Sequence, residues 1–192
     1  MTPILILASR SPRRRELLER MGILFQVIEP EVEEEVGGDE TPRAFVERIA
    51  REKAEEVAQR APGAWVLGAD TVVVLGEEVL GKPRDEEEAA SMLRRLSGRV
   101  HKVLTAFSLL NLAEGRSFQG VEETEVKFIP LQEADIRWYV STGEPLGKAG
   151  AYAIQGAGGT FIEWIKGSYT NVVGLPVAQI LDPLREIGIW RP

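Results

Sequence analysis

The first chemically informative feature of the chain is a group of cations placed where a helix normally disfavours them. Arg10, Arg13, Arg14 and Arg15 surround Ser11-Pro12, a pair spaced as the N-cap and first residue of a helix. A helix start carries unpaired N–H groups and a partial positive charge, so cations favour the other end. A bound anion, a phosphate above all, resolves the conflict; a solvated arginine cluster is the alternative. The loop from Ser9 to Arg14 is therefore a candidate phosphate grip, with Ser9, Arg13 and Arg14 among its polar groups. A second candidate is Asp70 in Gly68-Ala69-Asp70-Thr71-Val72-Val73, read as lying between the end of one apolar strand and the start of another. A carboxylate there is costly unless exposed or paired, and strand ends in α/β sheets commonly carry catalytic groups. A turn aspartate satisfied by local backbone is the other reading.

Lys53, Lys82, Arg84 and Lys148 are ordinary surface cations singly and the lining of an anionic-ligand cleft if they converge. Gln155, between an apolar run and glycines, offers both a donor and an acceptor to a base edge; it is otherwise a loop glutamine. His101, read as lying on a strand face, is structural or surface by expectation. There is no Walker A loop, Gly-x-Gly-x-x-Gly fingerprint or EF-hand loop. Ser9 and Ser11 lack an evident histidine partner for a hydrolase triad.

Composition narrows the classes further. The chain has 192 residues, 44% of them hydrophobic, a net charge of -7, no cysteine and one histidine. Disulfides, thiolate metal sites and a thiol nucleophile are excluded, as is any site needing two histidines. The acidic balance argues against nucleic-acid binding through phosphate neutralisation, while leaving room for a local basic pocket. No apolar run is long enough for a membrane span, and Ile4–Ala8 is too short for a signal peptide.

The elements that must position these residues follow from periodicity and punctuation. Pro3–Ala8 reads as a buried strand and Pro12 to about Gly22 as a helix. Phe25–Ile28 reads as a strand and Glu31–Asp39 as an acidic loop. Thr41-Pro42 opens a helix that ends before Pro62-Gly63, with Phe45, Ile49, Ala50, Ala54 and Val57 on one face. Trp65–Gly68 and Thr71–Leu75 read as strands, followed by a hairpin turn at Gly76-Glu77-Glu78. Asp85 and Glu88 form a capping box for a helix ending at Ser97-Gly98. Two long strands, Val100–Leu112 and Ser117–Ile129, join at Glu114-Gly115. A helix over Leu131–Ser141, a mixed stretch over Gly143–Gly159, a strand over Phe161–Ile165, a loop over Gly167–Gly174 and a helix over Leu175–Ile187 complete the chain. The expected fold is α/β, a mixed sheet covered by helices.

Six segments together resemble the Maf family of nucleoside triphosphate pyrophosphatases. They are Leu7-Ala8-Ser9 with Ser11-Pro12-Arg13-Arg14-Arg15-Glu16-Leu17-Leu18, Gly68-Ala69-Asp70-Thr71-Val72-Val73, Gly81-Lys82-Pro83, Met92 through His101, Lys148 through Gly156, and Asn171-Val172-Val173-Gly174-Leu175-Pro176. They occur in family order and span nearly the whole chain. The resemblance implies an elongated mixed sheet flanked by helices, similar to the inosine triphosphate pyrophosphatases, as one domain over residues 1–192 with two lobes around a central cleft. It implies a cytoplasmic homodimer that hydrolyses a nucleoside triphosphate with a divalent cation, Mg²⁺ or Mn²⁺; the charge and the lack of a long apolar run carry the expectation of no nucleic-acid and no membrane partner.

By the same resemblance Asp70 matches the proton acceptor, and Arg13, Thr71 and Gln155 match positions linked to base selection. Glu33, Lys53 and Lys82 match polar cleft positions. The segment Ala153-Ile154-Gln155-Gly156-Ala157-Gly158-Gly159 is similar to the branch acting on dTTP and UTP. Gly147 departs from the family, whose members often have Asp there. The mechanism so implied has Glu33 and Asp70 holding the metal, Ser9, Arg13, Arg14, Lys53 and Lys82 holding phosphates, and Asp70 activating water at the α-phosphorus. A house-cleaning hydrolase of modified or non-canonical nucleotides and a non-enzymatic regulator of cell division are the alternative functions.

Overall fold

A computed structural model describes residues 4–35, 37 and 39–191. Pro3 of the expected first strand, and Val36 and Gly38 of the acidic loop, lie outside the described residues. The sheet has seven strands: β1 (Leu5–Ala8), β2 (Phe25–Ile28), β3 (Trp65–Leu75), β4 (Glu78–Leu80), β5 (Val100–Asn111), β6 (Arg116–Phe128) and β7 (Ile162–Lys166). Their order is β2-β1-β3-β5-β6-β7, with β4 paired to β3 off this path. β1 is parallel to both β2 and β3, whereas β3–β4 and β6–β7 are antiparallel. The helices are α1 (Pro12–Arg20), α2 (Pro42–Arg60), α3 (Glu86–Leu96), α4 (Glu133–Ser141), α5 (Tyr169–Val173) and α6 (Val177–Glu186). This is the mixed sheet flanked by helices expected from the sequence.

β1 is buried at every position, as a central parallel strand covered on both faces must be, which is why it reads as an unbroken apolar run. α2 starts where Thr41 Oγ1 accepts from the Ala44 N–H at 3.2 Å, with Pro42 in the first turn. Its buried stripe is Phe45, Ile49, Ala50, Ala54 and Val57, joined by Lys53. A lysine on the buried stripe of an amphipathic helix must have a partner.

The chain divides into two compact units. The first comprises residues 1–70, 105–122 and 174–192, and the second residues 71–104 and 123–173. In the first, Ile6, Ala8, Ala54, Val57, Val66 and Leu110 pack into one apolar cluster. In the second, Val73, Leu93, Phe128, Tyr139, Tyr152 and Phe161 belong to a larger one.

Three local expectations need correction. Asp70 does not separate two strands: it lies inside one uninterrupted strand, Trp65–Leu75, because a lysine partner removes the penalty that made a break plausible. The Asp85 cap is half a capping box: Asp85 Oδ1 accepts from the Glu88 N–H at 2.8 Å, but the Glu88 carboxylate accepts from the Arg84 N–H at 2.7 Å. The expected loop after Gly167 contains α5, whose Asn171 amide donates to Val103 O at 3.0 Å and to Thr124 Oγ1 at 2.9 Å.

Candidate active site

β1 delivers Ser9, and α1 begins three residues later. Ser9 is buried, and its Oγ accepts from the Ser11 N–H at 3.1 Å and from Arg14 Nη1 at 3.3 Å. The serine closes the turn on itself and draws Arg14 inward. Arg14 Nε donates to the Gly174 carbonyl at 2.6 Å. Burial pulls the Arg14 guanidinium below its ordinary value; Asp70 opposes that shift, Arg13 reinforces it and Glu34 opposes it. An arginine remains protonated throughout the working range, so Arg14 is a fixed buried charge that braces the turn. Arg13 is half-buried, while Arg10 and Arg15 are exposed, and Arg10 pairs with the exposed Glu29 at 3.4 Å. Ser11 occupies the N-cap of α1, yet its side chain makes no capping hydrogen bond, and no acidic residue stands in the first turn.

The second part of the site rests on Gly68. A Cβ there would lie 2.4 Å from the Ala50 carbonyl and 2.7 Å from the Ala54 nitrogen, so only glycine lets α2 lie directly on β3. Side chains alternate along a strand, and Asp70, two residues on, faces the same way as Gly68. Lys53, between Ala50 and Ala54 on α2, meets it: Lys53 Nζ is 2.8 Å from Asp70 Oδ1. Lys53 is 6% exposed and Asp70 also 6%. The same nitrogen is 2.5 Å from Glu34 Oε1. Glu34, a residue that sequence reasoning passed over for its neighbour Glu33, comes from the acidic loop, where both residues are exposed. A run of three glutamates carries no signal for which one turns inward. Within the first unit, Lys53 pairs directly with two carboxylates and Arg14 interacts with both electrostatically.

The remaining expected residues lie in the second unit. Thr71 is half-buried on β3, Lys82 is exposed after β4, and Gln155 is half-buried in a turn. Lys148 Nζ donates to the Glu144 carbonyl at 2.5 Å, and exposed Arg84 pairs with Glu88 at 2.9 Å. Gly147 has φ +73°, with nothing within 4 Å of where a Cβ would stand. His101 is buried, not at the surface, and its Nε2 lies 2.8 Å from the Tyr152 hydroxyl. Glu144 is a second residue that the sequence did not single out. Its carboxylate takes the Ala157 and Gly158 N–H groups.

Among the described residues, no three or more His, Asp or Glu side chains gather to hold a metal, and no helix is long and apolar enough to cross a membrane. Asp70 Oδ1 and Glu34 Oε1 share one ammonium, at 2.8 and 2.5 Å. Carboxylate oxygens are the donor type that a hard divalent cation takes, and in this structure Lys53 holds these two.

A turn and helix start furnished with arginine, coupled electrostatically to a buried Lys–Asp pair, define an α/β protein equipped to handle a polyanion. The Maf-like protein family model matches residues 4–187, and the chain belongs to that family. A protein of Anaeromyxobacter dehalogenans named dTTP/UTP pyrophosphatase is 53% identical over 194 residues, covering 100% of this chain and 98% of that one. A protein of Myxococcus xanthus with the same name is 50% identical over 191 residues, covering 98% and 96%. Among solved structures, the Staphylococcus aureus Ham1 protein is similar over 65% of this chain and 71% of its own, with a TM-score of 0.45 and 15% identity.

Proposed function

We propose that this chain hydrolyses dTTP and UTP to the nucleoside monophosphate and pyrophosphate, with Asp70 as the base. Full-length identity of about half to proteins named for that reaction supports the substrate and the reaction class. The observation that carries the assignment of Asp70 is its buried carboxylate, held by Lys53 at 2.8 Å.

In the proposed reaction the triphosphate chain lies at the start of α1, with Ser9, Arg13 and Lys53 supplying donors and charge and Arg14 bracing the turn; Lys82 is proposed as a further substrate contact on the strength of the family resemblance. Lys53 fixes Oδ1 of Asp70, and the carboxylate takes a proton from a water molecule. The water oxygen bonds to the α-phosphorus, the bond from that phosphorus to the bridging oxygen breaks, and pyrophosphate leaves with the electron pair. Fixed donors and charges act without reorganising during the reaction, which is where the largest share of acceleration is expected. Asp70 and a carboxylate of the acidic loop, Glu34 or the neighbouring Glu33, would hold a Mg²⁺ or Mn²⁺ ion. Such an ion supplies neutralisation of phosphate charge when bound. Thr71 and Gln155 are proposed to read the pyrimidine edge. The proposed working state is a cytoplasmic homodimer, on the strength of the family resemblance; a single-chain mass in solution would count against it.

Hydrolysis in ¹⁸O-labelled water tests the reaction. Label in the nucleoside monophosphate and none in pyrophosphate is expected. Label in pyrophosphate, or release of orthophosphate, would overturn attack at the α-phosphorus. A panel of dTTP, UTP, CTP, GTP, ATP and 5-substituted pyrimidine triphosphates, with pyrophosphate detection, fixes the preference.

A further inference from the structure

The turn that carries Gln155 is pinned on both sides by one phenol–carboxylate pair. The Ala153 N–H donates to the Tyr139 hydroxyl at 3.2 Å, and that hydroxyl donates to Glu144 Oε1 at 2.7 Å. On the far side of Gln155, the Gly158 N–H donates to Glu144 Oε1 at 3.0 Å and the Ala157 N–H to Oε2 at 2.9 Å. Both carboxylate oxygens are therefore occupied by the loop. The glycines of the turn are sized to this pair. A Cβ at Gly156 would fall inside the Glu144 carboxylate, and one at Gly158 would fall against the Tyr139 hydroxyl. At Gly159 it would lie 2.5 Å from the Ile154 carbonyl.

Tyr139 is itself immobilised. It is fully buried on α4, with its ring edge-on to Phe161 at 5.2 Å between centroids. Burial opposes ionisation of Glu144, but the Gly158 N–H, the Tyr139 hydroxyl and the Ala157 N–H outweigh it and hold the carboxyl below its ordinary range. Charge-assisted bonds to backbone N–H groups are among the stronger ones available to a protein. A loop with few apolar anchors of its own is thereby tied to a helix of the second unit's core.

We infer that Glu144 and Tyr139 are positioning residues for nucleotide selection, acting through the conformation of the Ala153–Gly158 turn that presents the Gln155 amide. This rests on the reading of Gln155 as a base contact. Neither residue need touch substrate. A side chain that discriminates by hydrogen bonding must be held to within a fraction of an ångström, and displacement of that order is felt in rate and selectivity.

The test compares Glu144→Gln, Tyr139→Phe, Gly156→Ala, Gln155→Ala and the double variant Glu144→Gln/Gln155→Ala. Each is assayed for kcat and KM with UTP, dTTP, CTP and GTP, and for Tm. Glu144→Gln keeps size but cannot accept on both atoms. Gly156→Ala drives the turn and the Glu144 carboxylate apart while keeping the Glu144 and Tyr139 side chains intact, so it reports even where a Glu144 variant folds poorly. The expected result is that all three positioning variants raise KM for UTP more than they lower kcat. They should reduce the UTP-to-GTP preference by about 10-fold or more. The double variant should lose no more preference than Gln155→Ala alone. Gln155→Ala with unchanged preference would overturn the reading of Gln155, and this inference with it. A Gln155→Ala effect with Glu144→Gln and Gly156→Ala leaving preference intact would overturn this inference alone. So would an equal loss of kcat/KM for every nucleotide that tracks a fall in Tm.

Discussion

Lys53 on α2 and Asp70 on β3 meet at 2.8 Å with both side chains buried, and the two residues have different consequences when removed. Asp70→Asn leaves Lys53 with Glu34 at 2.5 Å, so the cation keeps a partner and the fold should hold. Loss of a general base costs about 10²–10⁴-fold, and that loss is expected in kcat, measured by pyrophosphate release. Lys53→Met instead leaves a buried carboxylate without its cation. Breaking such a pair from one side costs about 3–5 kcal/mol, and urea denaturation should show it. Near-normal turnover of Asp70→Asn would remove Asp70 from the mechanism.

Gly68→Ala should damage the site without touching any charged group. The new Cβ would stand 2.4 Å from the Ala50 carbonyl, and a backbone oxygen in a helix does not yield as a flexible side chain does. α2 must shift, carrying Lys53 away from Asp70. Overpacking of this kind costs about 1–3 kcal/mol. Misplacement of about an ångström costs on the order of 10²-fold in rate. Activity should therefore fall further than stability explains. Normal kinetics together with a normal melting temperature would show that the close approach of α2 is not needed.

Legibility followed locality. The start of α2 could be read from Thr41-Pro42 because capping is a matter of adjacent residues, and the arginine surplus at α1 was visible as a contradiction between sequence and helix dipole. The continuity of β3 through Asp70 was not visible, since it depends on a lysine 17 residues away. Nor was the partition of labour among the arginines. Arg13 and Arg14 are neighbours of one type, and only the carbonyl of Gly174, 160 residues on, makes Arg14 the brace. Glu144 was silent for the same reason. Its acceptor role is set by N–H groups on the far side of a turn, and the glycines at 156 and 158 that make room for the Tyr139–Glu144 pair read only as part of a mixed stretch.

That partition makes the arginines separable by experiment. Arg13 is half-buried and Arg15 exposed, so Arg13→Ala should raise KM for UTP by about 10-fold or more, the loss expected of a charge-assisted phosphate contact. Arg15→Ala should leave KM within about 2-fold. Arg14→Lys should act through stability, because an ammonium cannot reproduce the Nε bond to Gly174 and the Nη1 bond to Ser9 together. Equal KM effects of Arg13→Ala and Arg15→Ala would reduce the grip to diffuse charge.

His101 sets a pH dependence of stability that is distinct from the pH dependence of catalysis. Burial pushes its imidazole from 6.5 down to about 4, and Phe128 and Tyr152 pack edge-on to it at 5.0 and 5.4 Å between centroids. Between those two values the unfolded chain binds a proton that the folded chain refuses, so stability rises with pH across that window. Above about 6.5 both states are neutral and the contribution is level. As pH falls from there to about 4, a total of about 3 kcal/mol should be lost. Glu40, Glu78, Glu88, Glu133 and Glu144, whose hydrogen bonds hold them below 4.5, also destabilise on protonation, but only as pH falls through about 4.5 and below. Urea denaturation between pH 5 and 6.5 therefore isolates the histidine. The wild-type chain should lose stability steadily as pH falls through that interval. His101→Gln, less stable at pH 7.5, should show a nearly flat response there. A wild-type slope retained in His101→Gln would place the titrating group elsewhere.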